Sequence, residues 1–322
     1  MTYKNSLQAR FVSGRLTPIW LFTASLAMWL VGVGVDACIG EELTFKGYFL
    51  PLLFSLFCSI AATVILDVSH LFERRVRWLS AMFMWLTAIS FSIHDTEYEA
   101  LAVLLLAIIV YKLFKCKQGE DTYYGLYSVF AIVGCAYEIF PQFLLLLPVF
   151  AIYASVAMMT GFRGILAILL GFFTPYLIIS GTDYIFPEIM PAFMLGNRFE
   201  QLLTFSIAIP NLVQTISMAL HAAILIPFAV IFFNSPIPGK PYLRRRLTFL
   251  IYLNILLLIL PLFYNNDFSL FYMMSLPSVA VMMGYIFTLK TSKPMNWFFI
   301  IINILWIALF PFSVCSKYLL NS

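Results

Sequence analysis

RRRLTFLIYLNILLLILPLFYNND, residues 244–267, places three arginines before eighteen mostly apolar residues and an acid after them. A run of that length matches the hydrocarbon core of a bilayer, which is about 30 Å thick and is crossed by about 20 helical residues. Lipid offers the backbone no hydrogen-bond partners, so such a run must satisfy its own peptide groups, and a helix does so. Cations at one end and an acid at the other also give the run a direction, because lysine and arginine gather on the cytoplasmic side. The arginines are most simply helix anchors that meet anionic headgroups, not a nucleic-acid patch.

The pattern recurs along the whole chain. Of 322 residues, 62% are hydrophobic and only 11% charged, with 33 Phe, and the mean hydropathy is +0.96. A soluble domain could not hide that much apolar surface. The runs are continuous, without the alternation of a transmembrane β-barrel. The pattern predicts an all-α, polytopic transmembrane helix bundle of about 11 spans, at about 18–37, 48–67, 77–93, 98–114, 123–139, 142–160, 164–185, 211–233, 247–264, 268–289 and 295–314. The first is read as a retained helix, since no small-residue cleavage site follows it. FEQLLTFSIAIP, 199–210, is apolar but short and reads as interfacial or re-entrant. Pro148, Pro175, Pro227 and Pro277 fall inside spans and predict kinks.

With the N-terminus cytoplasmic and the C-terminus outside, sixteen of the 19 Lys and Arg lie inside, leaving Lys46, Arg198 and Lys317 outside. Eleven of the 15 acids lie outside. The bacterial inner (plasma) membrane is the expected location, on the family resemblance described below. The segment FSIHDTEYEA, 91–100, then faces out with His94, Asp95, Glu97 and Glu99. Outer acids, Glu138 among them, are expected to face water.

Ionisable groups at mid-bilayer cost roughly 2.5–3.5 kcal/mol and mark transport paths. Only His221 sits deep in a span; Asn211, Gln214, Asn254 and Asn303 are the other notable polar residues in or near spans. That argues against an ion-coupled carrier built on buried carboxylates. For His221 an interhelical hydrogen bond is expected. Trp20, Tyr123, Tyr124 and Trp297 read as interface anchors. The five cysteines, at 38, 58, 116, 135 and 315, contain no CxxC pair, so neither a zinc site nor a disulfide framework is indicated. Walker, GxGxxG, HExxH and GxSxG motifs are missing.

The stretch AYEIFPQFLLLLPVFAIYASVAMMTGFRGILAILLGFFTPYLI, 136–178, resembles an uncharacterised family of bacterial polytopic inner-membrane proteins, a domain of unknown function. That likeness implies a membrane location and no activity. The order of spans and acidic turns over about 18–186 also resembles the membrane module of the GT-C glycosyltransferases, which use lipid-phosphate sugar donors. On this resemblance residues 1–186 form a GT-C-like module and 187–322 a C-terminal membrane module. Asp36, with Glu41 and Glu42 as alternatives, takes the place of the family's first-loop acid, a general base for the acceptor hydroxyl. Asp95 and Glu97 occupy the second acidic loop, where carboxylates could hold a divalent cation, or His94 could contact the donor phosphate. Arg198, then Lys46, is the candidate for the leaving phosphate. The first outer loop, 38–47, is shorter than the family's. Partners implied are membrane lipids and a polyprenyl-phosphate-linked substrate, with no nucleic acid. Two other readings stay open: a non-enzymatic scaffold or subunit of an envelope complex, and a carrier of lipid or neutral solute.

Overall fold

The computed structural model describes residues 7–39, 53, 56–57, 61, 78–90, 99–116, 122–158, 161–185, 210–234, 241–289 and 292–321. They form α1 (Leu7–Ser13), α2 (Thr17–Ile39), α3 (Leu79–Ile89), α4 (Glu99–Lys115), α5 (Thr122–Ile139), α6 (Phe143–Met158), α7 (Phe162–Ile185), α8 (Leu212–Asn234), α9 (Pro241–Phe263), a 3-10 turn (Asn265–Asp267), α10 (Phe268–Leu289) and α11 (Lys293–Asn321). Among the described residues there is no strand. Among the described residues six helices are long and apolar enough to cross a membrane: Thr17–Val35, Phe162–Thr182, Leu212–Asn234, Pro241–Phe263, Asn265–Thr288 and Lys293–Ser316. The described residues are all-helical, and their apolar helices mark a membrane protein.

Where helix limits differ from the sequence reading, local chemistry explains two of the shifts. α9 begins at Pro241, six residues before the expected start, so the three arginines lie inside the helix. Proline suits a first helical position because its missing N–H has no intrahelical partner there. α3 stops at Ile89 instead of running to 93; both the N–H and the hydroxyl of Ser90 turn back to the Leu86 carbonyl. α1 lies in a stretch the hydropathy reading passed over. Pro148, Pro175, Pro227 and Pro277 do lie within helices, and so do Pro261 and Pro311. Most of the expected second span, and residues 199–209 of the expected interfacial segment, lie outside the described residues.

The chain divides into two compact units. Unit 1 comprises 1–104, 207–238 and 257–322, and α10 is its hub. In the most apolar stretch of that helix 94% of residues are buried, against 17–50% for the other five candidate spans. α10 packs on α3, α8 and α1, while α11 packs on α8, α3, α2 and α1. The pairs Ser217–Tyr272, His221–Ser275 and Phe228–Tyr285 advance together, so α8 and α10 run in the same direction. α1 closes the end of the unit where α10 finishes and α11 begins. There Gln8 is fully buried; its side-chain amide donates to the Phe287 carbonyl (2.9 Å), and its N–H donates to Asn296 Oδ1 (3.0 Å). Phe11 stands 5.6 Å from Trp78 and 5.1 Å from Phe299.

Unit 2 comprises 105–206 and 239–256. Its closest helix pair is α5 with α7. Gly134 admits the Phe172 carbonyl and the Pro175 ring, and Gly171 admits the backbone of Tyr127 and Ala131. Small residues let membrane helices approach to backbone contact, which maximises dispersion where lipid gives no hydrophobic drive. The Tyr127 hydroxyl meets Thr174 Oγ1 at 3.1 Å across the same pair. An aromatic cluster of Phe114, Phe150, Tyr153 and Phe249 joins α4, α6 and α9, with centroids 4.7–6.1 Å apart.

Candidate functional site

In the interior of unit 1 a file of polar side chains is shared by α3, α8 and α10. On α10, Ser269, Tyr272 and Ser275 recur at intervals of three and so share one side of the helix. On α8, Ser217 and His221 are four apart. Ser90, Ser217, His221, Tyr272 and Ser275 are each at most 3% exposed. Buried polar groups must find partners, and here they find one another. The Tyr272 hydroxyl lies 3.4 Å from Ser90 Oγ and is also hydrogen-bonded to Ser217. One phenol thus joins three helices.

Further along the file, His221 Nδ1 is 3.1 Å from Ser275 Oγ. The single hydroxyl proton of Ser275 goes to the Tyr272 carbonyl at 2.6 Å. With the Ser275 proton so committed, the imidazole is the donor of this bond in its Nδ1–H tautomer. This is the interhelical bond expected for His221.

At the other end of the file stands Glu99, the first residue of α4 and the last acid of the 94–99 cluster. Its Oε1 accepts a hydrogen bond from Ser269 Oγ at 2.7 Å. A carboxylate is favoured in a helix's first turn, where the backbone N–H groups present positive charge. The adjoining 3-10 turn carries Asp267, whose N–H donates to the Tyr264 carbonyl. Tyr264 is itself buried; burial first, then the Asp267 charge, raises its pKa above the ordinary phenol value.

Of the residues singled out from sequence, Asp36 lies in the last turn of α2, with its side chain outside the described set. Glu41, Glu42, Lys46, His94, Asp95, Glu97 and Arg198 also lie outside the described residues. Among the described residues no group of three or more His, Cys, Asp or Glu could hold a metal ion. Glu138 corrects an expectation: in the last turn of α5 it is 3% exposed, not water-facing. Asn254 and Asn303 donate to the Leu250 and Phe299 carbonyls of their own helices, and Gln214 accepts from the Asn211 N–H. Cys116, Cys135 and Cys315 are free thiols. Trp20, Tyr123, Tyr124 and Trp297 are exposed, as interface anchors should be.

Sequence reasoning passed over Ser90, Ser217, Ser269, Tyr272 and Ser275, since hydroxyls are cheap inside apolar runs. The usable signal was spacing: hydroxyls three apart on α10, and a serine four before the only mid-span histidine.

Fold and interior together define a polytopic helical membrane protein with a polar file inside one of its two units. The chain matches no family model, no curated protein and no solved structure.

Proposed function

We propose that this is a multi-pass inner-membrane protein of the GT-C-like type, with about eleven spans and the N-terminus in the cytoplasm, which transfers a sugar from a polyprenyl-phosphate carrier at the outer leaflet. The observation that supports this reading is the bond from Ser269 to Glu99. It fixes Glu99, the last acid of the 94–99 segment, beside the turn that carries Asp267. Asp95 and Glu97 are only a few residues from that anchor.

In this reading the basic inner loops hold the helices so that the acidic turns face out. Asp36, with Glu41 and Glu42 as alternates, takes the acceptor's proton as its oxygen attacks the anomeric carbon. Arg198 and Lys46 stabilise the departing lipid phosphate, and His94 donates to the donor phosphate. Asp95 and Glu97 are the carboxylates for a divalent cation, whose charge would offset that of the phosphate.

The test is transfer from polyprenyl-phosphate sugars by purified protein in lipid, with Asp36→Asn and Asp95→Asn variants. The reading requires activity that falls at least about a hundred-fold in Asp36→Asn, the usual scale for a general base, and that also falls in Asp95→Asn, which lacks one carboxylate for the cation. No transfer from any donor, or full transfer by the double variant, defeats it.

A second reading, a non-enzymatic membrane scaffold, is favoured by a different observation. The polar groups of the unit 1 interior are engaged with one another: Tyr272 with Ser90 and Ser217, His221 with Ser275. Purification with a partner at fixed stoichiometry, together with no transferase activity, would select it.

A further inference from the structure

α8 and α10 run in the same direction and are bound to each other at both ends. Toward their N-termini the Tyr272 hydroxyl is hydrogen-bonded to Ser217, and His221 Nδ1 stands 3.1 Å from Ser275 Oγ. The same end is tied to further helices: Tyr272 lies 3.4 Å from Ser90 Oγ, and Ser269 donates to Glu99 at 2.7 Å. Toward their C-termini the rings of Phe228 and Tyr285 meet edge to face, 5.4 Å apart, and Gln8 donates to the Phe287 carbonyl.

Between the two sets of contacts each helix is interrupted by a proline, Pro227 in α8 and Pro277 in α10. Proline has no N–H, so the carbonyls of Ala223 and Met273 lose the donor that a regular helix would give them. The breaks share one height. His221 meets Ser275 at a sequence separation of 54, and the same separation sets Ala223 beside Pro277. Two broken turns therefore adjoin at one level of unit 1.

A second observation weakens α10 at that level. Ser275 donates its hydroxyl to the Tyr272 carbonyl at 2.6 Å, the oxygen to which the Leu276 N–H is directed in a helix. Hydroxyls that turn back on their own helix in this way tend to bend it. Two successive carbonyls of α10, at 272 and 273, are thus held less firmly than in an uninterrupted helix. Sharp bends in long helices arise at prolines, and two-state motions are carried by packed elements that shift together.

We propose that the paired breaks form a single hinge across unit 1, about which the end carrying Ser217, Tyr272 and the Ser269–Glu99 bond swings as one body. The bonds on both sides of the breaks couple the two helices, so a bend in one requires a bend in the other. The hinge stands apart from the transferase reading, and the failure of either leaves the other untouched.

The experiment uses the full chain in lipid nanodiscs. Nitroxides are placed at Leu212→Cys and at Cys315, both exposed positions, with the other four cysteines replaced by serine. Pulsed electron paramagnetic resonance then gives the distribution of distances between the start of α8 and the far part of α11. A bend of about 20° acting over the stretch from Leu212 to Ala223, about 16 Å at 1.5 Å per residue, displaces the label by about 6 Å. The distribution should therefore spread over about that range. Pro227→Ala should at least halve the spread, and so should Pro277→Ala, although neither label is on α10. Circular dichroism confirms that the variants keep their helices. A narrow single distance in the chain with both prolines overturns the proposal without any variant. An unchanged spread in folded Pro277→Ala overturns it, because the helices then do not bend together. Equal narrowing by Pro311→Ala would place the motion in α11, and overturns it too.

Discussion

Replacing Gly171 with alanine should destabilise the protein far more than the same replacement at Gly181, in the same helix. A Cβ at Gly171 would stand 2.5 Å from the Tyr127 carbonyl oxygen and 3.2 Å from Ala131 N and Phe130 Cβ. Two of these three atoms belong to backbone and cannot rotate away. Restoring ordinary contact requires α5 and α7 to part by about 1 Å, and a gap of 0.5–1 Å forfeits roughly a quarter to a half of each dispersion contact. Overpacking of this kind costs about 1–3 kcal/mol, so we expect about 2 kcal/mol for Gly171→Ala. At Gly181 a Cβ would meet nothing within 4 Å. There the gain in helix propensity dominates, and Gly181→Ala should stabilise by up to about 1 kcal/mol. Gly134→Ala should resemble Gly171→Ala, since its Cβ would press on the Phe172 carbonyl and, at 3.1 Å, on Pro175 Cγ. The double variant should cost less than the sum of the two, because helices already parted have less contact to lose. Titration from mild detergent into denaturing detergent, followed by circular dichroism, measures all four variants. If Gly171→Ala is as stable as Gly181→Ala, or more so, the close α5–α7 packing is wrong.

Tyr272→Phe removes only the hydroxyl shared with Ser90 and Ser217, and should cost about 1 kcal/mol in the same titration, the scale of an interhelical bond in membranes; a stabilised variant would contradict the bonding described. Cys116 has its pKa raised by burial, with Lys112 pulling the other way. In a variant whose other cysteines are serine, maleimide labelling at pH 7 should therefore be slow and quicken with pH, and Lys112→Gln should slow it further. Tyr264 has a native pKa above its unfolded value near 10, so its contribution to stability is complete below that value and is lost as pH rises through the native one. Stability measured between pH 9 and 12 should fall less steeply in Tyr264→Phe than in wild type.

The helical class was legible in the sequence because it rests on local quantities. Runs of the right length, with no water to satisfy the backbone, leave helix as the solution, and the long spans duly appear: 18–37 as Thr17–Ile39, 211–233 as Leu212–Asn234, and 268–289 unchanged as Phe268–Leu289. Internal prolines could be placed for the same reason, and the aromatics read as anchors are exposed. The polar file could not. Ser90 and Tyr272 are 182 residues apart, and nothing in either segment announces the other. The same holds for Gly134 and Gly171, ordinary glycines in sequence until two backbones meet there. Burial misled in the other direction at Glu138, where a charged residue near a helix end suggested water and tertiary packing enclosed it. Hydropathy reports each residue's preference for lipid or water, summed along a short window. Which residues then touch depends on how helices far apart in the chain pack together, and only the tertiary structure decides that.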